Sequence, residues 1–498
     1  MAAGLCSLGR IWRPAPRLPP LRPRALSSMT AAGTGEGRHV VVAGAGVAGA
    51  SAAMHLSRAG AKVTIVDPRP PLSATSQYST ECYRDFFLDP ALVPFMSRSV
   101  DIMQELAGDD NLINMTRRGY CFLSATADGA EAFERFAETA SSFGAGPVRR
   151  HRSSGSSYVP SPSRGYRHDD MNGFDLVYGS QAIRDIFPFV SEDANVMLHA
   201  RRCGWMDSQG LGQAMLREAK SLGGAQVVRG SLVGVDVANG DVSRVRVESE
   251  TGELAIDCDG FVNAAGAWLA EVNALLAPDS PLPVQNELHA KVVLDDVLGV
   301  IPQETAPFMV WRDRVSIDWD EEIREGLAEL DDTDAGGIVN SRSWLGPQPG
   351  GPHLRPAGNG RVLLLAEHLH RHIGLPSSPA MPAEQFLDMY PELCVALLSA
   401  MVPGLRSYEG RLGKATTVDG GYYTVTPDGR PLITRHGAQN AYVCGGMGTY
   451  GLMAAPAAGE LVAALTFGQP LPSYAEACSW PRLAPLGEKP VDLLDESA

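Results

Sequence analysis

Near the start of the chain, Val40-Val41-Val42-Ala43-Gly44-Ala45-Gly46-Val47-Ala48-Gly49 is followed, after an Ala-rich run, by Lys62-Val63-Thr64-Ile65-Val66-Asp67. The apolar run reads as a strand, the glycines as a tight turn, Ala50 onwards as a helix closed by Gly60, and the second run as a strand ending in an acid. Gly44 permits the turn, Gly46 lets backbone approach a pyrophosphate, and Gly49 lets the helix lie close to the strand. A helix N-terminus then faces the phosphates with unpaired N–H groups. Asp67 stands at the distance where a carboxylate holds a ribose hydroxyl. A lone glycine triplet is weak; strand, helix and acid in the right places make it point to a bound dinucleotide.

Two further small-residue turns could lie against the same molecule. Asn263-Ala264-Ala265-Gly266-Ala267-Trp268 ends the hydrophobic run Gly260-Phe261-Val262, and Gly445-Gly446-Met447-Gly448-Thr449-Tyr450-Gly451 stands between Ala441-Tyr442-Val443-Cys444 and a helical stretch through Pro456 to Leu461. The latter repeats the strand, turn, helix order of the first motif. Between the motifs, residues 210–222 read as helix, 226–228 and 233–235 as short strands, and 243–248 with 254–258 as a hairpin. From Leu282 to about Gly410, longer strands, an acidic exposed segment (318–334) and a helix near 383–401 suggest a second domain. The Ser-, Gly- and Pro-rich stretch 149–165 reads as an exposed insertion without chemistry.

Length and charge exclude several classes. The 498 residues suffice for two domains with full cores, and 44% hydrophobic content is that of a globular protein. No window approaches the roughly 20 uninterrupted apolar residues of a spanning helix. A net charge of −15 leaves no basic face for nucleic acid. The first 35 residues carry Arg10, Arg13, Arg17, Arg22 and Arg24 and no acid, as an organelle transit peptide does, and their removal would bring the net charge to about −20. The mitochondrial matrix is the expected destination, with the plastid as alternative. The eight cysteines are scattered with no CxxC and no zinc spacing, so a reducing compartment and a metal-free protein are expected. His368, His370 and His372 look like a metal triplet, but no carboxylate pattern accompanies them, and they read as exposed loop.

Taken in order, the first glycine turn with Asp67, Thr80-Glu81-Cys82-Tyr83-Arg84-Asp85-Phe86-Phe87, Arg118-Gly119-Tyr120-Cys121-Phe122-Leu123, Gly204-Trp205-Met206-Asp207, the Asn263 turn, Gly351-Pro352-His353-Leu354-Arg355-Pro356, the run from Tyr422 to Pro431 and the last glycine turn resemble the flavin-dependent amine and D-amino-acid oxidase (DAO) superfamily. The nearest branch is that of sarcosine oxidase and dimethylglycine dehydrogenase, over about residues 38–468. The resemblance implies an α/β fold of mixed α+β type: a Rossmann-like FAD-binding domain with a parallel sheet, and a substrate domain on a large mixed, mainly antiparallel sheet. The implied partition is 1–35 as transit peptide, 36–100, 196–280 and 412–470 as FAD domain, 101–195 and 281–411 as substrate domain with the insertion at 148–166, and 471–498 as a tail.

The resemblance also implies the chemistry. Such proteins oxidise a C–N bond of an amine or amino acid by hydride transfer to flavin N5, pass the electrons to oxygen, a quinone or an electron-transfer flavoprotein, and release an imine that hydrolyses. Cofactor positions would be Gly44, Gly46, Val47, Ala48, Gly49, Asp67, Thr80, Val233, Ala265, Gly266, Gly446, Gly448, Tyr450, Gly451 and Leu452. Arg84 falls where the branch binds a substrate carboxylate, and its planar fork suits a bidentate grip. The competing reading ties Arg84 to Asp85 or Glu81. His353 would hydrogen-bond substrate or shuttle a proton, or be a satisfied core histidine, and Tyr423 would add a hydroxyl to the pocket. Glu287, His289 and Lys291 share one face of a strand, a polar face over the flavin, although Lys291 also fits a solvent-facing position.

Two departures from the branch stand out. Gly421 replaces the flavin-linking cysteine, which implies noncovalent FAD. Met453 replaces a second carboxylate-binding lysine, which argues against sarcosine itself and leaves open a flavin-binding factor of the kind that assists assembly of respiratory complex I.

Overall fold

A computed structural model of the chain describes residues 35–152, 157–167, 171–329, 344–368, 370–374, 376 and 389–480. The arginine-rich segment before them and residues 481–498 of the tail lie outside the described residues.

The strand His39–Ala43 sits at the centre of a six-stranded sheet in the order Leu432–Arg435, Ala441–Gly445, Gly260–Asn263, His39–Ala43, Lys62–Asp67, Gln226–Arg229. All neighbours are parallel except the first pair. Val40, Val41 and Val42 are all fully buried, which is why the run is continuously apolar rather than alternating: a parallel sheet is covered on both faces. The helices Val47–Arg58 and Gly451–Phe467 pack together on one face, where a Cβ on Gly459 would stand 2.2 Å from Ser51 Oγ. The antiparallel strands Ser231–Ala238, Asp241–Ser249 and Gly252–Asp257 cover the other through Val242, Val245 and Val247.

A ten-stranded sheet forms the second layer. Gln285–Asp295 pairs along its whole length with Thr416–Val425; its other edge pairs first with His370–Ile373 and then with Arg361–Leu365. From Arg361–Leu365 the order continues through His353–Gly358, Phe308–Trp311, Tyr120–Ser124, Val196–Ala200, Phe174–Tyr178 and Val148–His151. Two of these pairings are parallel and the rest antiparallel, as expected of the mixed substrate sheet. A short ribbon, Cys82–Arg84 against Cys203–Trp205, stands apart from both sheets.

Several boundaries differ from the sequence expectation. Val196–Ala200 and Thr416–Val425, assigned to the cofactor domain, are strands of the large sheet, and the boundary at 100/101 falls inside the helix Leu92–Ala107. The expected hairpin is a three-stranded sheet, because Ser231–Ala238 joins it. At the start of the stretch 149–165, Arg149–His151 belong to the strand Val148–His151, and Arg149, His151 and Arg201 converge on the buried Asp175, so paired charge rather than apolar pattern holds these residues. His370–Ile373 is strand rather than loop. The helix expected near 383–401 is described over Tyr390–Leu398. In the tail, Tyr474 and Cys478 are buried in the hydrophobic core that also takes in Val40, Val42 and Phe467. Among the described residues one helical stretch, Gly448–Phe467, is long and apolar enough to cross a membrane (20 residues, mean hydropathy 1.3), yet 78% of its apolar window is buried inside the fold, as in a core helix.

Candidate active site

The first glycine turn shows which glycines the protein itself requires. Gly44 has φ +101°, and a Cβ there would meet Ala264 O at 2.4 Å; a Cβ on Gly49 would stand 1.9 Å from Gly44 O. Both are needed to close the turn. Gly46 is different, since its φ of −72° suits any residue and its Cβ would meet only Ser76 Oγ, at 3.4 Å. Gly451, at φ −47° on the first turn of the last helix, meets nothing within 4 Å. These two positions border space that protein atoms do not fill, the cradle a dinucleotide needs. Asp67 accepts from Ala45 N and Arg69 N, both at 2.8 Å, which holds its carboxylate at the strand end. Arg69 lies with its guanidinium carbon 3.9 Å from the Trp268 ring centroid, and its Nε stands 3.4 Å from Asp67 Oδ1 in an ion pair. The residues therefore fit an FAD. Val47 N already donates to Ser76 Oγ at 3.1 Å. Ala265 lies against Gly44 at the second turn, and Val233 is 37% exposed on the strand that follows the sheet edge beside Asp67.

A small cavity of about 50 Å3, partly open to solvent, gathers six more of the expected residues: Thr80, Arg84, His289, His353, Tyr423 and Tyr450 all line it. Arg84, on the short ribbon, is 1% exposed, with its guanidinium carbon 4.4 Å from the Phe87 ring centroid and 5.5 Å from that of Tyr450. Its two neighbouring acids are engaged elsewhere: Asp85 by Arg202 at 2.9 Å and Glu81 by Arg355 at 3.0 Å. His353 is 4% exposed. Its Nδ1 lies 2.9 Å from Gly351 O, which can only accept, so Nδ1 carries the proton and Nε2 is left as an acceptor. Burial, with Arg84 nearby, lowers its pKa to about 4, and the ring stays neutral at ordinary pH.

His289 and Tyr423 come from adjacent strands and stack at 4.3 Å; His289 Nε2 lies 3.0 Å from Glu287 Oε2. Burial pushes the Tyr423 hydroxyl well above its usual value, so it remains a neutral hydroxyl. Lys291 shares their strand face as expected, but it is 6% exposed rather than solvent-facing, because Asp419 on the paired strand binds its ammonium and Tyr78 O accepts at 2.8 Å. Burial lowers its pKa, and Asp419 opposes that shift.

One fastener joins the two sides of the cavity. Arg355, two residues after His353, donates to Thr80 O at 2.9 Å and to Glu81 Oε2 at 3.0 Å, and its guanidinium carbon is 5.3 Å from the Trp205 ring centroid. Glu81, three residues before Arg84, has φ +64°, a left-handed conformation costing about 1 kcal/mol outside glycine, and its Oε1 accepts from Ser208 N and Oγ. The pair thus ties the strand of His353 to the ribbon of Arg84. Gly421 also has a neighbour in the way of a side chain: a Cβ would stand 2.9 Å from Thr75 Cγ2, and Thr75 Oγ1 bonds both ends of Tyr422.

Met453, expected at a substrate-carboxylate position, lines the cavity, whereas nothing in the sequence singles out Cys82, Tyr120, Phe308, Leu365 or Glu367 as lining. Tyr120 and Cys82 lay inside quoted motifs. Phe308 and Glu367 gave no local signal, since only strand pairing brings them in. Among the described residues no cluster of three or more His, Cys, Asp or Glu could hold a metal ion, and the side chains of His370 and His372 lie outside the described residues.

Solved structures share this architecture. L-proline dehydrogenase from P. horikoshii superimposes with a TM-score of 0.65 at 20% identity, covering 89% of this chain and 97% of its own. Glycine oxidase from Bacillus cereus ATCC 14579 gives 0.62 at 14% (91% and 100% covered), and iminodiacetate oxidase from Chelativorans sp. BNC1 gives 0.61 at 18% (88% and 98%). No curated protein sequence matches. The sequence model of the FAD-dependent oxidoreductase family DAO matches residues 39–316 and 329–465, most of the chain. With that match, the cradle and the cavity, the chain belongs to the DAO family of FAD-dependent oxidoreductases.

Proposed function

We propose that the protein oxidises the C–N bond of a carboxylated amine, an amino acid or N-alkyl amino acid. The observation that carries this reading is the meeting of a buried Arg84 and an acceptor-only His353 in one cavity. FAD, when bound, supplies the hydride acceptor. Arg84 would grip the carboxylate through its fork; Asp85 pairs with Arg202 and Glu81 with Arg355. His353 Nε2 would accept from the substrate N–H and orient the nitrogen, while Tyr423 and His289 form the polar floor. Similar folds in an L-proline dehydrogenase and a glycine oxidase agree with an amino-acid or amine substrate. The lack of room at Gly421 supports noncovalent FAD.

The basic N-terminal segment supports import into the mitochondrial matrix with loss of about 30 residues; finding residues 1–30 on the mature protein in cells would count against it. Anaerobic mixing of the holoprotein with a panel of carboxylated amines should bleach the visible flavin band, and re-oxidation by oxygen, a quinone or an electron-transfer flavoprotein then names the acceptor. An assembly role, favoured by Met453 where the sarcosine-oxidase branch has a cation, gives no bleaching.

A further inference from the structure

The helix Gly451–Phe467 is interrupted by a proline directly behind the cavity wall. Thr449, Tyr450 and Met453 line the cavity, and Pro456 stands three residues beyond Met453, inside the helix. A proline has no N–H to give the carbonyl four residues back, here that of Leu452, and its ring presses on the same turn, which bends or opens the ladder there. The next rung joins Ala457 N to Met453 O, and a side chain from another helix enters it. Ser99, on Leu92–Ala107 and fully buried, accepts from Ala457 N at 3.2 Å and donates to Met453 O. Beyond the proline the helix is fixed twice more: Ser51 Oγ donates to Pro456 O at 3.3 Å, and Arg98, the neighbour of Ser99, forks onto Glu460 with contacts of 2.6 and 2.8 Å. Arg98 and Ser99 thus grip the helix on both sides of its break.

We propose that Ser99 is a positioning residue for the site: its hydroxyl carries the connection across the break at Pro456 and so holds the turn of Thr449, Tyr450 and Met453 in place against the cavity. The hydroxyl gives its one proton and receives another, so alanine removes two bonds and leaves Ala457 N and Met453 O to find each other across a rung bent by the proline. Partial closure of that rung recovers some of the loss, and the remainder is the net worth of about one neutral hydrogen bond, roughly 3- to 10-fold in the order of the turn. A ligand that needs the turn ordered then binds with its apparent affinity reduced by the ordered fraction, while the step after binding keeps its rate. That this ligand is the substrate rests on the amine-oxidising reading of the cavity; the stitch itself does not.

The test is a double-mutant cycle of Ser99→Ala and Pro456→Ala in the holoprotein, read by hydrogen exchange of the Ala455, Ala457 and Ala458 amides and by anaerobic flavin reduction with the carboxylated amine that bleaches the parent. Pro456→Ala returns an N–H to Leu452 O and lets the rung close, so it should make the hydroxyl dispensable. Ser99→Ala alone should speed exchange of these amides about 3- to 10-fold and leave residues 460–467 unchanged. The amine concentration for half-maximal reduction should rise about threefold or more, with the limiting rate within about twofold and FAD retained. In the Pro456→Ala background the same substitution should move exchange and half-saturation by less than about twofold. Equal effects in both backgrounds would make Ser99 ordinary core packing and overturn the proposal, as would faster exchange with an unchanged half-saturation. If no amine bleaches the flavin, the amine-oxidising reading falls, and the visible circular dichroism of the bound FAD decides instead: Ser99→Ala should alter it with Pro456 present and leave it unaltered in the Pro456→Ala background, whereas a spectrum identical to the parent in Ser99→Ala would overturn the proposal.

Discussion

Replacing Arg84 by Lys keeps the positive charge and removes the planar fork. The residue is 1% exposed and backed by Phe87 and Tyr450, so water cannot replace the missing donor. A point charge can restore one contact to a carboxylate but not a second parallel one. Losing one charge-assisted hydrogen bond in a dry site costs about 1.5–3 kcal/mol, which is roughly 10- to more than 100-fold in kcat/KM. The ion pairs Asp85–Arg202 and Glu81–Arg355 do not include Arg84 and should survive the change. Steady-state kinetics on a carboxylated amine and its decarboxylated analogue, with FAD occupancy measured on the same samples, provides the assay. The loss should fall on the carboxylated substrate and nearly vanish on the other, with FAD retained. Equal losses on both would make Arg84 a structural residue and refute the carboxylate assignment.

Three other outcomes follow from the same geometry. Gly46→Ala should fold normally, because its Cβ meets only Ser76 Oγ, yet purify with little FAD, whereas Gly49→Ala should fail to fold against Gly44 O; full FAD occupancy in Gly46→Ala, read from the absorbance ratio, would show the turn is misread. Glu81→Gln forces an NH2 onto either Arg355 or Ser208, so kcat/KM should fall about 5- to 30-fold with FAD still bound, a loss of about 1–2 kcal/mol, and an unchanged kcat/KM would show that the fastener positions nothing. His353 has a folded pKa of about 4 against 6.5 unfolded, so the unfolded chain binds the proton first as pH falls; its contribution to stability is intact above pH 6.5 and declines by roughly 3 kcal/mol towards pH 4. Urea midpoints at pH 7 and pH 4.5 should therefore drop less for His353→Gln than for the parent, and equal drops would mean that the imidazole titrates normally.

What could be read from the sequence is what depends on neighbours along the chain. The turn at Gly44–Gly49, the acid at Asp67 and the last glycine turn are each closed within a few dozen residues, so spacing alone placed them. The cavity also draws on motifs, and the positions of Arg84, His353, Tyr423 and His289 around it follow from their strands. Lys291 shows the limit: alternation places it on the face of His289, but its burial depends on Asp419, a partner that only strand pairing across the sheet reveals. Arg149–His151 was misjudged for a related reason, since charged residues carry no apolar period and are held by Asp175 from another strand. Phe308 meets Tyr120 through a parallel pairing between distant segments, which no local pattern announces.

The central claim, that this site takes hydride from the carbon beside the nitrogen of a carboxylated amine, is tested most directly by the deuterium isotope effect on flavin reduction. The holoprotein is mixed anaerobically with an N-methyl amino acid, deuterated or not at the carbons beside nitrogen, and bleaching is followed by stopped flow. The account predicts bleaching to completion that slows several-fold with deuterium at the oxidised carbon. Bleaching that is indifferent to deuterium at both carbons, or absent with every carboxylated amine while FAD is fully bound, would contradict it.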